Sequence, residues 1–67
     1  MMMSLERFLN NLRVAKRSTG YKYIKMFEEE LKKEGLIDVK VVGRGKRIFV
    51  KDADKILNFF EDRGIYL

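Results

Sequence analysis

The sequence predicts a small α+β domain with the element order α-α-β-β-α. Three observations carry that expectation. Apolar residues recur at helical spacing over 5–12, 20–31 and 53–60. Two β-branched runs, 36–42 and 47–51, flank the glycine-rich segment Gly43-Arg44-Gly45-Lys46. Glycines at 20, 35, 43, 45 and 64 punctuate a chain that has no proline. With no linker, repeat or low-complexity tract, residues 1–67 read as one domain.

Each element has a local reason. Met1, Met2 and Met3 read as a frayed start, and Ser4 as the N-cap of a first helix running to about Lys16. Leu5, Phe8, Leu9 and Leu12 make its apolar stripe. Arg17-Ser18-Thr19-Gly20 interrupts the pattern, and Ser18 or Thr19 then caps a second helix that reaches Glu34 and stops at Gly35. Gly20, Ile24, Phe27 and Leu31 line its inner side, flanked by Tyr21 and Glu28. Lys22, Lys25, Met26, Glu29 and Lys33 lie opposite. Pairing Val42 with Arg47 across a four-residue turn sets Val41 opposite Ile48 and Val39 opposite Val50 on the inward face, with Lys40 and Phe49 outward. Asp52 is the natural cap of a last helix, 53–63, stopped by Gly64. Its buried stripe is Ala53, Ile56, Leu57 and Phe60.

Size and composition exclude whole classes of chemistry. A chain this short buries only about 60% of the surface its unfolded form exposes, so its core is marginal without a staple. There is no Cys and no His, which removes disulfides, zinc-finger spacings, thiol nucleophiles and imidazole bases together. Self-association is the remaining device. No carboxylate pair sits on an apolar wall, so an enzyme is the least supported class, and no cofactor, metal or small-molecule ligand is indicated. No apolar run approaches a membrane span and no signal peptide is visible, which reads as a soluble, cytoplasmic protein. The absence of Gln, Cys and His beside abundant Lys and Glu leans towards a thermophilic source.

Charge is segregated. Residues 7–27 and 39–51 contain no acid and together carry +11, whereas the rest of the chain carries −6. A polyanion-binding face with an acidic, solvated back requires that distribution.

At Ser18-Thr19-Gly20-Tyr21-Lys22-Tyr23-Ile24 through Glu34-Gly35-Leu36-Ile37, the chain resembles the recognition helix and the approach to the first wing strand of winged helix-turn-helix transcription regulators of the small archaeal or viral type. Val39 to Lys51 is similar to the wing, so the resemblance covers residues 5–52. One departure is plain: that fold has three helices before the wing, and this chain has room for two. The C-terminal helix then fills the missing place in the core, a layout also similar to excisionase-like and MerR-like DNA-binding domains.

The resemblance implies a double-stranded DNA partner, with helix 18–34 in the major groove and the 39–51 hairpin as wing. The physics of the residues points the same way. A helix start offers free N–H groups and a positive dipole to phosphate, and a major groove admits a helix. Arg17, Ser18 and Thr19 are the candidate phosphate contacts, and Lys22, Tyr23, Lys25 and Met26 the candidates for base edges. Lys40, Arg44, Lys46 and Arg47 would reach the flanking backbone or minor groove. Tyr21 reads instead as a core-edge aromatic, and Gly43 and Gly45 as turn residues rather than a phosphate cradle. Phe59, beside the buried stripe and near Tyr66, is expected to stay partly exposed and to form a homodimer seam. The expected function is a sequence-specific, nucleoid-associated DNA-binding protein, a repressor by occupancy. The alternatives are an excisionase-like DNA-bending factor and a protein-interaction module with a basic docking face.

Overall fold

A computed structural model describes residues 2–67. The elements are β1 (Met3–Ser4), α1 (Leu5–Asn10), α2 (Arg17–Met26), α3 (Glu28–Lys33), β2 (Ile37–Val42), β3 (Gly45–Val50) and α4 (Ala53–Glu61). The domain is α+β, its antiparallel sheet ordered β1-β3-β2. The third strand was not anticipated. Met3 pairs with Val50 and Ser4 with Phe49, so the segment read as frayed joins the sheet from Met3 onward, and Met1 lies outside the described residues. Two residues are too few to leave a periodic signal.

Ser4 caps α1 as expected, its hydroxyl accepting from the Arg7 N–H at 3.2 Å. The helix is shorter than its apolar stripe suggested, ending at Asn10 rather than near Lys16. Residues 11–16 form an irregular turn held by a distant group. The Val14 and Ala15 N–H groups donate to the Leu67 carbonyl oxygen at 2.8 and 2.9 Å. Those bonds replace helical ones, and tertiary contact overrides local preference.

The second helix begins at Arg17 with Lys16 as an N-cap that makes no side-chain bond, so Ser18 and Thr19 lie inside the first turn and cap nothing. It is also bent. Phe27 has φ −104 and ψ 17, dividing α2 from α3, although its N–H still bonds Tyr23 and its carbonyl accepts from Leu31. The bend seats the Phe27 ring edge-on to Phe59 and Phe60, with centroids 5.8 and 5.5 Å away.

The hairpin forms with a register two residues from the one expected. Val42 pairs with Gly45, Val41 with Lys46, Lys40 with Arg47, Val39 with Ile48 and Ile37 with Val50. The loop is therefore the two residues Gly43-Arg44. Gly43 takes φ +59 while Arg44 keeps a negative φ, the pattern of the twist-compatible turn with glycine first. A two-residue slip preserves the alternation of faces. Ile37, Val39, Ile48 and Val50 still point to the helices, and Lys40 lies over Phe49 on the outer face, its ammonium 5.7 Å from the ring. Slippage does leave Val41 opposite Lys46 near the tip, where it is 81% exposed.

Asp52 caps α4 by accepting from the Lys55 N–H at 3.1 Å, and Gly64 ends the following turn at φ +76. Ile24, Leu31, Ile37, Ile56 and Phe60 form the fully buried centre, with Val50 beside them. Each such side chain contributes about 1.5–3 kcal/mol by burial. Phe59 corrects the expectation made for it: it is 6% exposed, packed on Phe60 and Phe27, with the Arg63 guanidinium 3.6 Å over its ring. Its surface is used within the chain, whereas Tyr66 remains exposed. No helix among the described residues is long and apolar enough to cross a membrane.

Candidate nucleic-acid interface

Helical geometry puts Ser18, Lys22, Lys25 and Glu29 on the outward side of the α2–α3 helix, because Gly20, Ile24 and Leu31 are buried on the other. Ser18 and Lys22 are exposed, Met26 is exposed beside them, and Thr19 is half-buried. Arg17 opens the helix but forms an ion pair with Glu6 of α1. The two tyrosines exchange the places expected of them. Tyr23 turns inward and packs on Phe60 at 6.2 Å between centroids, and the Lys22 ammonium sits 5.4 Å from its ring. Tyr21 is 49% exposed and lines a groove of about 340 Å³ with Ser4, Leu5, Glu6, Lys46 and Arg47. The α2 helix and the turn-proximal half of β3 thus meet at Tyr21.

The junction between helix and hairpin is electrostatic. Glu28, which helical spacing sets at the flank of the inner side, is buried at 6% exposure. Its two oxygens are each matched: Lys46 Nζ lies 2.7 Å from Oε2 and Lys25 Nζ 3.1 Å from Oε1. The Lys46 hydrogen bond pulls the Glu28 carboxyl below its ordinary value, burial pushes the other way, and Lys25 adds to the pull. Reciprocally, Glu28 raises Lys46 above the ordinary lysine value. Lys25 and Lys46 are therefore partly neutralised where they stand, and the Lys46–Glu28 pair ties β3 to α3. Both appeared in the charge count as free cations; Lys25 stands at i,i+3 spacing from Glu28 along one helix, whereas Lys46 reaches it only through the fold.

Lys22, Lys40, Arg44 and Arg47 have no carboxylate within ion-pairing distance among the described residues. All four are exposed, Lys22 on α2 and the others on the hairpin. The α2 amino end adds backbone N–H groups without a side-chain cap, next to the Ser18 hydroxyl. The acidic side chains Glu29, Glu30 and Glu34 follow at the far end of the same helix, so the attractive part is its first two turns. The arrangement offers an anionic partner a cationic surface with one exposed tyrosine. Tyr21 is the residue that sequence reasoning missed. Comparison with protein-family models, with curated proteins and with solved structures gives no match.

Proposed function

We propose that this is a double-stranded DNA-binding protein of winged helix-turn-helix type, acting as a transcription regulator, with α2 in the major groove and the β2–β3 hairpin as wing. The observation that carries the reading is the Lys25–Glu28–Lys46 cluster. It joins two basic elements distant in sequence and leaves Lys22, Arg44 and Arg47 unpaired beside it. The sheet order β1-β3-β2 and the α1-turn-α2-hairpin succession are compatible with that type. In this reading α4, through Ile56 and Phe60, occupies the core position of the further helix that this type carries before its wing, which here begins at β2.

The roles follow from position. Arg17 and Ser18 at the helix start face a phosphate, while Lys22 and Met26 present a donor and an apolar surface to base edges. Tyr21 takes over the role first expected of Tyr23, and Arg44 and Arg47 reach the flanking strand. Three unpaired cations, Lys22, Arg44 and Arg47, imply a salt slope of about −2.7, so affinity should fall about 40-fold between about 50 and about 200 mM salt. A fluorescence-anisotropy titration against random duplex DNA at the two concentrations tests this. Failure to bind at the lower salt would refute it, and the basic face would then be a docking surface for an acidic protein.

A further inference from the structure

β2 forms ladder bonds only with β3 among the described residues, so its other edge is open. Open edges are commonly blunted by charge, proline or a bulge. This one has two charges, Asp38 and Lys40, between Ile37, Val39 and Val41. Val41 is 81% and Val42 54% exposed, an unusual density of β-branched apolar surface at an edge. Asp38 and Lys40 share the outer face, yet neither has an ion-pair partner among the described residues.

We propose that β2 is a homodimer seam, pairing antiparallel with β2 of a second copy in the register that sets Asp38 opposite the partner's Lys40.

Two-fold symmetry makes the contact self-complementary, so Lys40 also meets the partner's Asp38. A symmetric antiparallel pairing joins residues of like parity, and the neighbouring registers differ by two residues. One of them sets Lys40 against its own copy, and the other does the same to Asp38. Only the register centred on Val39 matches both charges, and directly opposed like charges destabilise a ladder. That register also places Val41 beside the partner's Ile37, at the core end of the neighbouring strand. The exposed valine is thereby covered, and Val39 meets its own copy on the axis. The product is a six-stranded sheet in which both helical layers lie on one side and the Gly43-Arg44 turns stay free. A second copy also supplies the stapling that a core of this size lacks. The proposal does not depend on DNA binding.

Sedimentation velocity of the whole chain without DNA tests it, at about 100 µM, where a micromolar interface is filled. The unmodified protein should sediment as a dimer. Lys40→Glu and Asp38→Lys should each weaken the dimer by at least about tenfold, since each turns two attractive cross-strand pairs into repulsive ones. Combining both substitutions restores opposite charges and should restore the dimer. Val41→Lys, at a position already exposed in the single chain, should also yield monomer, with circular dichroism reporting an intact fold. A monomeric unmodified protein would overturn the proposal, as would single variants that remain dimeric or a double variant that stays monomeric. Dissociation by Tyr66→Ala but not by Lys40→Glu would equally overturn it, moving the seam to the C-terminal segment.

Discussion

Replacing Glu28 by Gln removes the buried charge that ties the α2–α3 helix to the hairpin while keeping the shape of the side chain. One charge-assisted hydrogen bond, from Lys46 at 2.7 Å, and the ion pair with Lys25 at 3.1 Å are lost. Such bonds are individually worth about 1.5–3 kcal/mol when sheltered, but both lysine side chains are more than a third exposed and recover water once released. The net cost is therefore about 1–2 kcal/mol, with Gln retaining one weaker bond. In a domain of this length that lowers the melting temperature by roughly 5–15 °C. The sign of the pH dependence is fixed by the carboxyl. Its folded value lies below the unfolded 4.5, so its stabilisation is complete above that pH and disappears as pH falls through the folded value. Lys46, raised above 10.5, keeps its share up to that pH and loses it as pH rises further. Thermal unfolding followed by circular dichroism should show a clear gap between the two proteins at pH 7 and a much smaller one near pH 2–3. A gap of the same size at both values would mean that packing, not charge, is what Glu28 supplies. No gap at pH 7 would refute the junction altogether.

Arg44→Ala should weaken binding to every duplex alike and reduce the salt slope by about 1, whereas Lys22→Ala should change which sequence is preferred, both read by anisotropy titration. Gly20→Ala would place a methyl 2.5 Å from Leu12 Cδ1 and 2.9 Å from Leu9 Cδ2, so overpacking of about 1–3 kcal/mol should outweigh the helical gain of about 1, giving a lower melting temperature. Phe60→Ala, at a fully buried ring touching Tyr23, Phe27 and Phe59, should cost about 3–5 kcal/mol. That is comparable with the whole stability of a chain this size, and urea titration should find it largely unfolded at room temperature.

What could be read from residues alone was whatever is decided locally. Ser4, Asp52 and Gly64 act where their chemistry places them. The alternation of Val39 with Ile48 and Val50 announces a hairpin and its faces, but alternation repeats every two residues and cannot choose between loops of two and four. The exchange of Tyr21 and Tyr23 has a similar cause. Both flank the apolar stripe at comparable angles, on opposite sides, and the side that is covered depends on where α4 brings Phe60. Glu28 illustrates the same limit for charge. Helical position sets it at the flank of the inner side, but only the packing of the helix on β3 shows that it is buried and what claims its charge. Of the candidate interface, Lys22, Arg44 and Arg47 were legible because exposure is all their role demands.

The bonds from Val14 and Ala15 to the Leu67 carbonyl have a kinetic corollary. They close a span of most of the chain, and long closures are made late because their entropy is spent before the contact rewards it. The turn between α1 and α2, whose angle aims the basic helix, therefore acquires its geometry only after α4 has docked and residues 65–67 have folded back. Val14→Pro or Ala15→Pro, each of which removes one of the donor N–H groups, should leave the refolding rate nearly unchanged and accelerate unfolding, the signature of contacts absent from the transition state. The surface proposed to read DNA would then be among the last parts of the molecule to be assembled and the first to loosen.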